Sequence, residues 1–111
     1  MRVLWTVFAE SQLNGIYDYI QSKNSYTAAD IYNDILDETA MLEYFPRMAA
    51  KEPLLSEFPE EYRSLVVCRN YKVVYYIDCE TTIYVVAIFD CRQNPEELKY
   101  IVKKTNQYNN D

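Results

Sequence analysis

The stretch Ile83–Phe89 reads Ile-Tyr-Val-Val-Ala-Ile-Phe and contains no charged residue. A strand with polar residues at alternate positions keeps one face in water, whereas a continuously apolar strand is covered on both faces. In a chain of 111 residues, this pattern predicts an interior strand of a sheet with protein packed above and below it.

Two further strand patterns precede it. Residues 62–69 and 72–78, like the strand over 82–89, are rich in residues typical of β-strands, chiefly Val, Ile, Tyr and Thr. Short breaks separate the three segments. Breaks of this length are typical of hairpin turns. The second half therefore predicts an antiparallel meander of three strands. Residues 45–61 contain three prolines and are predicted to be irregular.

The first half has helical periodicity after a short strand at Arg2–Trp5. Apolar residues recur every three or four positions over residues 9–20 and again over about 28–44, which predicts two amphipathic helices. Thr6 suits the N-cap of the first helix, and Thr27 with Asp30 resembles a capping arrangement for the second.

A last helix is predicted from about Pro95, followed by a polar tail over residues 105–111 that we expect to be frayed. The order is β-α-α-β-β-β-α. It predicts one α+β domain over residues 1–111, in which an N-terminal helical hairpin packs on a twisted, mainly antiparallel sheet of about four strands.

Composition excludes several kinds of chemistry. The chain has one glycine, Gly15, and no histidine, so glycine-rich phosphate loops, Ser-His-Asp systems and imidazole zinc sites are ruled out. The spacing of Cys68, Cys79 and Cys91 matches neither a redox pair nor a disulfide framework. We expect no metal and no cofactor. Gly15 falls inside the first helix and is expected to pack closely against a neighbour, with a tolerated flaw in the helix as the alternative.

No apolar run approaches the roughly 20 residues that cross a bilayer, and the N-terminus does not resemble a secretory leader. A cytoplasmic protein without a membrane segment is therefore expected. The net charge is −6, but it is unevenly distributed: residues 1–61 carry four basic and eleven acidic side chains. A local cationic surface in the second half is compatible with this distribution.

Basic side chains lie on or beside the predicted sheet, interleaved with tyrosines. The basic residues are Arg63, Arg69, Lys72 and Arg92, and the tyrosines are Tyr71, Tyr75, Tyr76 and Tyr84. Such a surface binds phosphates and stacks bases, and we expect the charged groups at positions 63, 72 and 92 to share one concave wall. The alternative is cross-strand pairing of these cations with Asp78, Glu80 or Asp90.

These segments resemble the RelE/ParE toxin superfamily. In the second half, the resemblance rests on Glu61–Val67, Tyr71–Tyr75 and Ile88–Arg92, which follow the strand core of such toxins. In the first half, Ala9–Ile20 and Leu42–Pro46 are typical of the ParE side. The similarity covers roughly residues 2–100.

The resemblance implies the toxin of a bacterial type II toxin–antitoxin module, with a cognate antitoxin that masks its active surface. ParE-like members bind DNA gyrase and have no nuclease residues, whereas RelE-like members cleave mRNA on the ribosome. A homodimer or a toxin–antitoxin hetero-oligomer is expected. A class outside the family also stays open: a small non-catalytic protein-interaction module.

For the RelE-like alternative, Arg63, Lys72 and Arg92 match three basic positions of the ribonuclease branch. Two expected parts are missing, because Leu65 stands where a second basic residue is expected and Leu98 stands near the place of a tyrosine. The acidic chain also suits the ribosome poorly. The ParE-like reading is therefore preferred, with Arg63, Arg69, Lys72, Tyr75 and Arg92 as candidate target- or antitoxin-binding residues.

Overall fold

The computed structural model describes residues 1–109, with side chains through residue 105. Its strands are β1 (Arg2–Trp5), β2 (Ala50–Lys51), β3 (Arg63–Val67), β4 (Tyr71–Asp78) and β5 (Thr82–Asp90), and its α-helices are α1 (Val7–Gln21), α2 (Ser25–Ala40) and α3 (Glu96–Asn109). The sheet order is β1-β5-β4-β3-β2. β1 runs parallel to β5, and the other neighbours are antiparallel.

The sheet lies between two apolar layers. On one face, α1 and α2 pack against buried β4 and β5 side chains that include Val73, Ile83 and Ile88. On the other face, α3 and the short 3₁₀ turn Pro53–Leu55 cover Val74 and Ala87. The predicted α+β arrangement is confirmed, and so is the prediction that the last strand is covered on both faces.

N-cap side chains determine where the first two helices begin. Thr6 Oγ1 accepts a hydrogen bond from the Ala9 N–H at 3.1 Å, which confirms the predicted cap of α1. The second helix begins three residues before the predicted start, because Asn24 Oδ1 accepts from the N–H groups of Tyr26 and Thr27. The prediction of a cap at Thr27 was therefore wrong. An Asn side chain satisfies the same free donors one turn earlier.

The sheet has five strands rather than about four. The additional strand, β2, is two residues long and lies in the stretch predicted to be irregular, where Ala50 pairs with Ser64 and Lys51 with Arg63. A strand this short carries no periodicity of its own, so only its pairing with β3 reveals it.

Gly15 does not pack against a neighbour, so that expectation was wrong: a Cβ added there would meet nothing within 4 Å. The last helix runs through Asn109, past the start of the predicted frayed tail at residue 105, and residues 110–111 lie outside the described part of the chain. Among residues 1–109, no helix is long and apolar enough to cross a membrane.

Candidate functional site

The strand register separates the basic residues that the sequence analysis placed on one wall. Arg63 pairs with Tyr75, whereas Lys72 pairs with Val66 on β3. Tyr75 and Lys72 are three residues apart on β4, and side chains alternate faces along a strand. Arg63 therefore faces the helical hairpin and Lys72 faces α3. The expectation of a common wall for positions 63, 72 and 92 was wrong.

Arg63 is held inside the hairpin face. Its guanidinium donates through Nη1 to the Ala49 carbonyl at 2.7 Å and through Nη2 to Glu61 Oε1 at 3.1 Å. Its side chain is 14% exposed. The bond to Ala49 connects β3 with the segment that precedes β2, so Arg63 stabilises that connection.

Lys72 is held on the opposite face by a buried carboxylate. Its Nζ lies 2.5 Å from Oε1 of Glu52, whose side chain is 1% exposed. Glu52 also accepts from Ser64 Oγ at 2.9 Å and from the Leu54 N–H at 3.1 Å. Burial raises the pKa of Glu52, but these bonds and the Lys72 charge outweigh it, so the pKa lies below its usual value.

Glu52 was missed by the sequence analysis. It lies between Lys51 and Pro53 in the proline-containing stretch, and no spacing connects it to Lys72 twenty positions later. The only available signal was general: a buried lysine requires a partner.

Arg92 lies just past the end of β5 and forms a fork with Asp90. Its Nε donates to Asp90 Oδ1 at 2.9 Å and its Nη2 donates to Oδ2 at 2.8 Å. The guanidinium also lies over the ring of Tyr71, 5.8 Å from the ring centroid, and donates to the Tyr71 hydroxyl at 3.3 Å. The hydrogen bonds from Arg92 lower the pKa of Asp90. The Arg92 side chain is 60% exposed.

Arg69 lies at the same end of the sheet as Arg92, because Tyr71 pairs with Asp90. It is exposed in the tight turn between β3 and β4 and adopts a left-handed backbone conformation with φ 66°. Tyr75, by contrast, is 0% exposed, and its hydroxyl donates to the Pro46 carbonyl at 2.7 Å. Tyr75 belongs to the core, so its predicted place in a binding surface is not carried forward.

The tyrosines are divided in the same way as the cations. Tyr71 and Tyr75 face the hairpin, whereas Tyr76 and Tyr84 face α3, where their ring centroids lie 5.5 Å apart. Tyr76 also contacts Tyr62 edge to face. These rings pack on one another within the second apolar layer. They do not form a continuous cationic and aromatic patch.

A groove of about 490 Å³ lies between α1 and the end of β5. We call it the α1–β5 groove; its lining residues are Gln12, Gly15, Ile16, Tyr19, Tyr71, Ile88, Asp90, Arg92 and Gln93. It contains Arg92, the one exposed cation of the three predicted nuclease positions. Sequence analysis did not connect α1 to this site, because the crossing of α1 beside β5 is a tertiary feature.

The three cysteines are exposed. Partial desolvation and the neighbouring Asp34 raise the pKa of Cys68, and the adjacent Asp78 raises the pKa of Cys79. Both thiols are therefore protonated at neutral pH and are poor nucleophiles. Within residues 1–109, no group of three His, Cys, Asp or Glu side chains is placed to hold a metal ion.

The geometry of these side chains suits recognition of a partner better than phosphate chemistry. Stabilising a pentacovalent phosphate requires several cationic heads that converge on one point. Here Arg63 and Lys72 lie on opposite faces of the sheet, and each is bonded to its own carboxylate. The α1–β5 groove instead offers an aromatic wall, an exposed guanidinium and side-chain amides, which are groups that bind a polypeptide.

Comparison with known proteins agrees with this architecture. A search of curated proteins returned no match. Among solved structures, the chain is similar to one described as the chromosomal ParDE TA system from P. aeruginosa. That match has a TM-score of 0.68 and 24% identity, and it covers 81% of this chain and 95% of the other. The sequence model of the family described as "ParE toxin of type II toxin-antitoxin system, parDE" matches residues 3–95. The chain therefore belongs to the ParE toxin family of type II toxin–antitoxin systems.

Proposed function

We propose that this toxin acts in the cytoplasm by binding and inhibiting DNA gyrase, that it catalyses no reaction itself, and that a cognate antitoxin neutralises it. The observation that carries the proposal is the separation of Arg63 from Lys72. Each lies on its own face of the sheet and is paired with Glu61 or Glu52. A phosphodiesterase centre at these positions would require both ion pairs to break and one side chain to cross the sheet.

The surface that we assign to binding lies at the end of the sheet that carries the β3–β4 turn. Arg69 and Arg92 are both exposed there. Among the described residues, Arg69 forms no ion pair, and Arg92 keeps two Nη1 hydrogens beyond its bonds to Asp90 and Tyr71. In a chain of net charge −6, a local cationic end favours an acidic surface on the partner.

Supercoiling of a relaxed plasmid by purified gyrase tests this proposal. We expect the chain to inhibit the reaction, and we expect Arg92→Ala to inhibit at least about tenfold less well, as for a central arginine of an interface. Lys103→Ala is the matched control, because Lys103 is exposed on α3, away from the groove. It should retain full inhibition.

The alternative functions give different results in parallel assays. If the chain cleaves mRNA at specific codons in a translation extract, and Arg92→Ala abolishes that cleavage, the RelE-like function would replace gyrase inhibition as the assigned function. Binding of the antitoxin with neither gyrase inhibition nor mRNA cleavage would support a non-catalytic interaction module. The antitoxin assay is coexpression with the neighbouring reading frame, which should yield a stoichiometric complex.

A further inference from the structure

The turn between β3 and β4 contains two consecutive residues with a left-handed backbone, and neither is glycine. The turn consists of residues 68–70, and the φ angles of Cys68 and Arg69 are 52° and 66°. In this conformation the Cβ atom of an L-residue crowds the backbone, whereas glycine adopts it without that cost. The turn therefore contains strain that a glycine at position 69 would relieve.

Contacts on both sides hold this turn in its strained shape. The Asn70 N–H donates to the Cys68 carbonyl at 2.7 Å, and the Asn70 carbonyl accepts from the N–H of Cys91, also at 2.7 Å. On the α2 side, Cys68 Sγ donates to Asp34 Oδ2 at 3.4 Å. Strained backbone persists only where its surroundings enforce it. These contacts enforce it here, and none of them uses the Arg69 side chain.

Arg69 differs from the other basic residues that the sequence analysis placed on or beside the sheet. Each of the others forms an ion pair: Arg63 with Glu61, Lys72 with Glu52 and Arg92 with Asp90. Arg69 is exposed and forms no ion pair with any side chain that the structure describes. A carboxylate is nevertheless near, because Asp34 contacts the adjacent Cys68. The guanidinium of Arg69 therefore keeps its N–H donors for a partner.

The turn at the opposite end of β4 provides an internal comparison. Cys79 and Glu80 are also left-handed, with φ angles of 52° and 57°. There the side chain at the second position has an intramolecular contact, since Glu80 forms an ion pair with Arg47. Arg69 occupies the same position of its own turn without such a contact. Strain at a residue with no structural role for its side chain is typical of functional sites.

The charges around the turn indicate what Arg69 binds. Both oxygens of Asp90 accept from Arg92, so the charge of Arg92 is largely balanced and that of Arg69 is not. Binding to a nucleic acid depends on several cations that neutralise neighbouring phosphates, and here the carboxylates of Asp34 and Asp90 lie near the turn. A single unbalanced guanidinium instead suits one carboxylate, which it binds through two parallel hydrogen bonds.

We propose that the strained β3–β4 turn presents Arg69 to a carboxylate on the target protein, and that this contact determines target specificity at the expense of stability. The inference rests on the proposed function in one respect, namely that gyrase is the target. It predicts that a glycine at position 69 makes the chain at least as stable but a much weaker inhibitor.

Arg69→Gly is the direct test. We expect its urea midpoint to equal or exceed that of wild type, because glycine removes the left-handed strain. The concentration that half-inhibits supercoiling by purified gyrase should rise at least about tenfold, as for a central arginine of an interface. Arg69→Lys keeps the charge but not the planar fork, so it should inhibit more strongly than Arg69→Gly and less strongly than wild type.

Cys79→Gly is the matched control, since it relieves a left-handed residue in the turn at the other end of β4. It should equal or exceed wild type in urea midpoint and retain full inhibition. If Cys79→Gly lost inhibition as Arg69→Gly does, rigidity of the turns rather than the Arg69 contact would explain the effect, and the inference would be overturned.

Direct binding to purified gyrase without DNA tests the chemistry of the contact. The affinity difference between wild type and Arg69→Gly should fall from at least about tenfold in 0.1 M salt to about threefold or less in about 0.5 M salt, because salt screens exposed charges. A difference that appears only when DNA is present would indicate a phosphate contact and would overturn the inference.

The outcomes separate this inference from the proposed function. Inhibition by wild type and by Arg69→Gly at equal concentrations overturns the inference and leaves gyrase as the target. A lower urea midpoint together with lost inhibition in Arg69→Gly also overturns it, because Arg69 would then stabilise the fold. If wild type neither binds nor inhibits gyrase, both proposals are wrong.

Discussion

The Nζ atom of Lys72 and the Oε1 atom of Glu52 lie 2.5 Å apart on the α3 face of the sheet, and the Glu52 side chain is 1% exposed. A side chain that resembled a nuclease cation in the sequence thus forms a largely buried ion pair. This pairing gives Lys72 a structural role in the folded chain.

Lys72→Met tests that structural role. The substitution leaves the Glu52 carboxylate buried with the Ser64 hydroxyl and the Leu54 N–H but without its cation. We expect the free energy of unfolding to fall by about 2–3 kcal/mol, less than for a fully buried pair because Lys72 keeps partial contact with water. Urea denaturation measures it. Lys103→Met on exposed α3 should change stability by less than about 0.5 kcal/mol, and an equally small loss for Lys72→Met would contradict the assignment.

The same pair predicts how stability depends on pH. The pKa of Glu52 in the folded chain lies below its ordinary value of 4.5, so the unfolded chain binds a proton more readily. Its contribution to stability is therefore fully present above about pH 4.5 and is lost as the pH falls through the folded pKa. Urea unfolding between pH 6 and 3 should show this decline.

Glu52→Gln is the control for the pH profile. It should be less stable than wild type at pH 6, and the two free energies should converge as the pH falls through the folded pKa of Glu52 and the carboxylate becomes protonated in both states. Asp90, whose pKa the Arg92 hydrogen bonds lower, supplies a similar decline that remains in this variant. Parallel pH profiles for wild type and Glu52→Gln would show that Glu52 contributes nothing.

Gly15→Ala should stabilise the chain. Gly15 lies inside α1, and an added Cβ meets no atom within 4 Å. The higher helix propensity of alanine predicts a gain of about 0.5–1 kcal/mol, measured as a higher urea midpoint with an unchanged slope. A loss of stability would mean that the glycine packs against a neighbour after all.

Tyr75→Phe tests whether Tyr75 contributes only to stability or also to partner binding. Its hydroxyl donates to the Pro46 carbonyl, so we expect a loss of about 1 kcal/mol in unfolding free energy. Because Tyr75 has no exposed surface, the folded variant should inhibit gyrase and bind the antitoxin as wild type does. If the fully folded Tyr75→Phe variant bound gyrase or the antitoxin less tightly than wild type, Tyr75 would have to be assigned to the binding surface.

Much of the fold was predictable because it depends on local patterns. The uninterrupted apolar run at Ile83–Phe89 predicted an interior strand, and Thr6 predicted the start of α1. The helix-hairpin and meander order followed from the change in period between the two halves. β2 was not predictable, because a two-residue strand exists only through its pairing with β3.

The site was less predictable because it depends on the parity of the strand register. Arg63 and Lys72 are separated by a turn, and the pairing of Val67 with Tyr71 determines that they face opposite sides. A shift of one residue in that pairing would have moved Lys72 to the Arg63 face. The turn between β3 and β4 contains no glycine that would indicate its type, so the sequence alone does not determine the register of the two strands. Gln12 and Glu52 are brought to the site only by tertiary contacts.

The central claim is that the toxin acts by binding gyrase rather than by cutting RNA. The most direct measurement is plasmid supercoiling by purified gyrase in the presence of the purified chain, repeated after addition of the antitoxin. We predict dose-dependent inhibition that the antitoxin reverses. Unimpaired supercoiling together with ribosome-dependent mRNA cleavage by the same preparation would contradict the account.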